Sequence, residues 1–469
     1  MGIIGQGRPN GESNFSDEFL LEALTRYVPT QTIDRVLTKT DRQSRRVCKA
    51  PAPAVVWLVI AVGLWGDASI SSLWRQVVGI VASLWLAAAG RKPPGKSTLS
   101  EARSRLGARP LRQLLLATAG AGAAASTKGA RYKGMPLKAM DGQDYTIPDT
   151  PANVKAFGKP STARDGKGIM GAYPQIHTNR LIEVGTRATI EAVIKPQDHN
   201  EHPTAPHLLR HCRPGDLVMW DCGFYSYKLI KQAVEQGTFM LGPVPSHVVL
   251  EPVRTLADGS YLARIHPTPH DRKHNRNGVI VRVIEYTFDD PARTGHGEKH
   301  RLVTTLLDAE LYPAHELIVL YHQRWEIEIA NDEIVTHQLA RRVDLRSLTP
   351  TGVVQEMYGI LLAHNAIRAL MHEAALSIDV DPRTLSFIHA VRVVRETIAV
   401  MRSAPTGALP FLYAAMIAKI AEEVLPPRDN RINPRVIKVK MSNWPKKREK
   451  HYHAPQPKKT FNDSIVMLK

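Results

Sequence analysis

Apolar positions change their period along the chain, and each change marks an element. From 13 to 118 they recur at helical spacing or run unbroken. Leu20, Leu21 and Leu24 follow an acid-bearing cap at Ser16, and the stretches from Ala54 to Leu64 and from Val77 to Ala89 are continuously apolar. Spacing of three to four predicts amphipathic helices, and an unbroken run predicts a buried one. Each run is about a dozen residues, short of the roughly 20 that cross a bilayer, so no membrane segment is expected. Gly120 to Gly129 is small and nearly uncharged, and predicts a linker over 119–134.

Beyond the linker the period shortens. Lys138 to Thr150 begins with a short apolar stretch ending at Asp141, with Gly142 where a turn is expected; Gly168 to Val193 reads as two or three antiparallel strands. Leu217 to Gly223 is a buried strand carrying Asp221 at its C-terminal end, with a helix starting in 224–230, and 236–243 reads as one more strand. Short β-like runs fill 246–312, separated by Gly, Pro, Asp and Asn. Helical spacing returns from Tyr321 to Gln338, and Leu345 to Ile388 predicts two further amphipathic helices.

Charge narrows this picture. The formal net charge is +18, and it is clustered. Seven Lys or Arg against two acids lie in 26–49, and seven against one in 91–113. Residues 428–469 carry twelve against three, half of the whole excess, with Trp444 and Tyr452 interleaved. Clustered cations with aromatics suit phosphate contacts and base stacking, so nucleic acid is the expected partner. Three cysteines without a C-x-x-C pair, and no apolar leader, suit a reducing cytoplasm.

Two patterns are decoys. Gly90 to Ser97 matches a phosphate-binding loop, but Pro93 and Pro94 have no N–H to aim at a phosphate. His199, His202, His207, His211 and Cys212 crowd one loop at spacings that fit no common zinc finger, and a solvated loop over nucleic acid is expected. His266, His270 and His274 have helical spacing, but Pro267 and Pro269 argue against a helix presenting them together.

The segment Y-H-Q-R-W-E-I-E-I-A-N-D-E-I-V-T-H-Q places Tyr321, Arg324 and Glu328 at i, i+3 and i+7, on one helical stripe. It resembles the signature of DDE transposases of the insertion-sequence-four family: Tyr, two residues, Arg, three residues, Glu, six residues, Lys. Val335 stands where that pattern has the Lys. Two more stretches are similar to the family: Asp141-Gly142 followed by P-D-T-P-A-N (148–153), and an apolar strand ending in Asp221, x, Gly, Phe, Tyr. The run from Lys96 to Arg112 resembles its N-terminal domain.

The resemblance implies an α/β protein with a ribonuclease-H-like catalytic core. Its expected divisions are a helical N-terminal DNA-binding domain (13–118), the linker, a core in two parts (135–245 and 313–403) around a β-rich insertion (246–312), and a C-terminal helix and basic tail (404–469). Asp141, Asp221 and Glu328 would be the catalytic triad. They would hold two Mg²⁺ ions, for which Mn²⁺ can substitute, since hard cations prefer carboxylate oxygens. Asp144 and Asp149 are nearby competitors. Tyr321, Arg324 and Trp325, with Lys438, Lys440, Lys446, Lys447 and Arg448, are expected on DNA. The implied activity is metal-dependent cleavage and strand transfer at the inverted repeats of an insertion sequence, by a homodimer on double-stranded DNA in the bacterial nucleoid. Without the Lys, and with no Trp in 246–312 to hold a flipped base, hairpin formation or the whole activity would be impaired. Two alternatives are a domesticated or catalytically impaired DNA-binding descendant and a general ribonuclease-H-like nuclease.

Overall fold

The computed structural model describes residues 27–46, 48–81, 93–119, 123–161, 170–196, 203–293, 295–339, 345–401, 403–426 and 456–468. Ser16, Leu20, Leu21, Leu24, His199, His202 and the five cations Lys438, Lys440, Lys446, Lys447 and Arg448 lie outside them.

Among the described residues, one mixed sheet of 11 strands runs through the molecule. Short β1 (Arg131–Tyr132) folds back on β2 (Met135–Thr146). β2, β3 (Gln175–Glu183) and β4 (Thr189–Pro196) are antiparallel, whereas β5 (Leu217–Trp220) and β6 (Phe239–Pro243) run parallel to β2. The 246–312 stretch supplies β7 (Pro252–Thr255), β8 (Tyr261–Ile265), β9 (Val279–Phe288) and β10 (His300–Thr304). β10 pairs with β6, so these strands extend the sheet and do not form a separate one. The C-terminus returns as β11 (Ile465–Met467) beside β9, and the Phe461 ring lies 4.3 Å from that of His322.

Among the described residues, five helices precede the sheet: α1 (Thr30–Lys39), α2 (Ala52–Leu64), α3 (Ile70–Val81), α4 (Lys96–Leu106) and α5 (Arg109–Thr118). Between and after the strands come α6 (Pro151–Phe157), α7 (Ala205–Leu209), α8 (Tyr227–Gln236), α9 (Ala314–His322), α10 (Trp325–Asp332), α11 (Pro350–Ser377), α12 (Phe387–Met401) and α13 (Leu409–Ala421). Every residue from Ala54 to Leu64 is buried, as its unbroken apolar run predicts. α2 crosses α11 at paired glycines: a Cβ on Gly63 would stand 2.5 Å from the Gly359 carbonyl oxygen, and one on Gly359 2.3 Å from that of Val59. Only glycine lets the two backbones approach this closely. Residues of α1, α2, α4, α5, α11 and α12 share one apolar core, which also takes Tyr145, Ile147 and Ile176 from the sheet.

Strand alternation sorts the remaining core into two faces. Leu137, Ala139, Leu217 and Met219 pack toward α9 and α10, against Leu317 and Ile327. Met140, Val218 and Trp220 pack the other way, against Leu208, Leu229 and Ala233 of α7 and α8.

Three expectations are corrected. β2 does not turn at Gly142, because β3 pairs with it as far as Thr146. Leu345 to Ile388 does not hold two amphipathic helices: α11 is one helix of 28 residues, buried on most sides, and a short 3₁₀ turn separates it from α12, which begins at Phe387. Pro269 opens a one-turn helix capped by Thr268, so the His270 and His274 rings do meet, 4.5 Å apart.

Candidate active site

Asp141 and Asp221 are brought together by register. β2 and β5 run parallel and their last paired residues are Met140 and Trp220, so each acid is the next residue along the chain, Asp141 within β2 and Asp221 just past β5. Parallel neighbours lie about 4.8 Å apart. By alternation both acids belong on the face that Ala139 and Met219 present to α10. Asp221 is extended and caps the 3₁₀ turn Cys222–Phe224, so its carboxylate stands where the strand ends.

Glu328 arrives on α10, which packs over β2. The predicted helix from Tyr321 to Gln338 is in fact three pieces. α9 stops at His322. The Arg324, Glu326 and Ile327 N–H groups then bond three residues back, and residues Glu333–Gln338 form a π-helix. Tightening followed by widening of this kind recurs at functional sites. Despite the break, Tyr321, Arg324 and Glu328 still converge. The Tyr321 hydroxyl donates to the Trp220 carbonyl at 3.1 Å, which fixes the helix end beside Asp221, and Arg324 lies 3.5 Å from Glu328.

The charges of this group are unbalanced. Burial, with Glu328 and more weakly Asp221 nearby, pushes the Asp141 carboxyl up to about 7, against the pull of Arg324 and of the Gly142 N–H that it accepts. Burial works against the Arg324 charge, yet Tyr321, Asp221, Asp141 and Glu328 together raise its pKa. One guanidinium thus serves three acids. Trp325 points elsewhere and is half exposed.

The other half of the run is neutralised. Glu333 is bonded to Arg187 and His364 at 2.6 and 2.9 Å, with Arg368 at 3.5 Å. Burial alone would raise its pKa, but Arg368, Arg187 and His364 hold it far below the usual carboxylate range. Gln338 donates to the Gly63 and Ile360 carbonyls, both at 3.0 Å, locking this end to α2 and α11. Val335 packs against the helical core.

Asp144 bonds His177 at 2.6 Å and Asp149 bonds Lys159 at 2.9 Å, away from the acid pair. From the histidine loop, His207 and His211 meet buried Glu191; among the described residues this is the one trio of potential ligands within 4.8 Å of one another. Arg112 of α5 already occupies it, 2.7 Å from Glu191 and 2.6 Å from His207. Arg180, Arg187, Glu333 and His364 escaped the sequence reading, and Asn331 stood out in it only, with Val335, as a departure from the family's usual residues. The only signal was the polar character of residues set in apolar stretches.

An acid just past the end of β5, its neighbour within β2, a third on a helix above them and an arginine nearby make an arrangement suited to phosphate esters. The chain belongs to the DDE transposase family: residues 132–366, half of its length, match the Transposase DDE domain, and residues 19–115 match the Insertion element 4 transposase N-terminal family. It is a DNA transposase, an enzyme of DNA strand cleavage and transfer. Transposase InsG for insertion sequence element IS4 of Escherichia coli (strain K12) is 28% identical over 433 residues, spanning 91% of this chain and 93% of that protein. A piggyBac transposase synaptic complex with hairpin DNA aligns at a TM-score of 0.42 and 13% identity, over 87% and 85% of the two chains, a likeness too weak to argue from. No described helix is long and apolar enough to cross a membrane.

Proposed function

We propose that Asp141, Asp221 and Glu328 are the catalytic triad of this transposase, acting at the inverted-repeat ends of an insertion sequence. The adjacency of Asp141 and Asp221 past the Met140–Trp220 pair is the observation that carries the reading. Three antiparallel strands followed by two parallel ones, β4-β3-β2-β5-β6, support a ribonuclease-H-like core. The proposed divisions remain 13–118, 119–134, 135–245 with 313–403, 246–312 and 404–469.

An all-oxygen donor set suits Mg²⁺ or Mn²⁺, and the elevated Asp141 carboxyl marks excess negative charge that a cation would relieve. Asp141, Asp221 and Glu328 would hold two such ions, which supply activation of the attacking oxygen and stabilisation of the leaving one. Arg324, fixed among the acids, binds a non-bridging phosphate oxygen of the strand to be cut. Tyr321, tied to the Trp220 carbonyl, sets the helix at the cleavage point. Water attacks phosphorus and the P–O3′ bond breaks, leaving a 5′ phosphate and a 3′ hydroxyl; that hydroxyl attacks a target phosphodiester in turn, and the target's own 3′ oxygen leaves. Trp325, with its exposed ring, and Lys438, Lys440, Lys446, Lys447 and Arg448 contact flanking DNA. Two ends require two copies, hence a homodimer on nucleoid DNA in the cytoplasm.

Val335 makes hairpin formation the impaired step, since its side chain packs with the helices. The test is cleavage of end-labelled inverted-repeat DNA by Asp221→Asn. Loss of Mg²⁺-dependent nicking with DNA binding retained supports the reading; wild-type nicking sinks it and favours a triad located elsewhere. A wild-type protein that binds ends without nicking them would instead be a domesticated descendant.

A further inference from the structure

Arg180 is the cross-strand partner of Asp141 in the β2–β3 register, and it is 1% exposed. A buried arginine opposite an acid ordinarily forms a direct ion pair. Here it does not. Asn331 of α10 stands between them: its side-chain oxygen accepts from the Arg180 Nη2, and its Nδ2 donates to the Asp141 Oδ2 at 3.4 Å. The remaining Arg180 contact, Nη1 to the Thr189 hydroxyl at 3.2 Å, fixes the guanidinium from β4.

We propose that Asn331, oriented by Arg180, is a positioning residue that aims the Asp141 carboxylate at its metal ion, an inference that rests on the triad reading above. The chemistry is directional. A guanidinium has only donors, so the amide oxygen of Asn331 must face Arg180 and its NH₂ must face Asp141. Asp141 then receives one neutral donor on Oδ2 and the Gly142 N–H on Oδ1 at 2.9 Å. These bonds fix the carboxylate plane while leaving lone pairs on both oxygens for a cation. Direct pairing with Arg180 would have placed a fixed positive charge on the ligand itself. Asn331 also lies one helical turn beyond Glu328, so the same contact ties the first acid of the triad to the helix that carries the third.

The test uses the full-length protein and reads Mn²⁺ binding by electron paramagnetic resonance, beside DNA-end binding and thermal unfolding. Asn331→Leu keeps the shape and removes both bonds; Asn331→Ala is the smaller companion if Leu does not fold. The expected result is an Mn²⁺ affinity weakened about tenfold, as for other residues that orient a metal ligand, with DNA-end binding unchanged and cleavage restored at saturating Mn²⁺. Arg180→Met should weaken binding similarly and add little on top of Asn331→Leu, because both act through one contact. If Asp141→Asn binds Mn²⁺ as wild type does, the triad reading itself falls. If Asp141→Asn loses Mn²⁺ while Asn331→Leu and Asn331→Ala keep wild-type affinity, the triad stands and the positioning role is wrong.

Discussion

Glu328 and Glu333 sit five residues apart on one helical run, and their surroundings are opposite. Around Glu333 every charge is answered, by Arg187, Arg368 and His364 in a buried network. Around Glu328, Arg324 faces three acids, Arg180 is held off from Asp141 behind Asn331, and Asp141 is driven up to about 7. The comparison separates a carboxylate that holds a fold together from carboxylates kept short of counter-charge for a cation to complete. Burial alone does not distinguish them, since Asp141 and Glu333 are both buried.

The largest effect expected from breaking the deficient half is on chemistry. Asp221→Asn or Glu328→Gln should lower end cleavage about a thousandfold or more, with folding retained, read by single-turnover nicking. In the balanced half the damage should be to stability. Glu333→Gln leaves Arg187 with Glu326 alone and Arg368 with backbone carbonyls in the interior, and should cost about 3 to 5 kcal/mol in denaturant unfolding. A variant as stable as wild type would show that the network is not structural.

The pH dependence of the metal-free protein sharpens the contrast. A carboxyl near 7 in the folded chain and about 3.9 in the unfolded one makes the native state hold the extra proton between those values. Its stabilising contribution is therefore full below about pH 4 and lost as pH rises through 7. Asp141→Asn should remove that loss. In chelator, the variant should unfold later than wild type at pH 8, by up to a few kcal/mol, and match it near pH 4. Equal stability at pH 8 would mean that the three acids do not crowd one another.

A smaller effect tests the anchoring of the helices. Gly359→Ala places a methyl against the Val59 carbonyl and should cost about 1 to 3 kcal/mol, measured by thermal unfolding, and it should leave Mn²⁺ affinity unchanged.

Much of the proposed site can be read from the sequence. Asp221 announces itself as an acid ending an apolar strand before a turn, and period-2 alternation then predicts which face it takes. The stripe of Tyr321, Arg324 and Glu328 survived a break in the helix that spacing could not foresee, because the bonds that tighten it are backbone ones. Asn331 reads in the sequence only as a departure from the family's usual residue, and its contact with Arg180 was not legible, because it joins residues 151 positions apart. α11 was misread for a related reason. Gln355, Glu356, His364 and Arg368 look like a solvated face, yet all four are buried with partners from other elements.

The most direct measurement of the central claim is anomalous diffraction from crystals of the protein bound to inverted-repeat DNA and soaked in Mn²⁺. The account predicts manganese peaks bounded by Asp141, Asp221 and Glu328, with Asn331 still between Asp141 and Arg180. Manganese elsewhere, for instance at Glu191, His207 and His211 with Arg112 displaced, and none among the three acids, would contradict it.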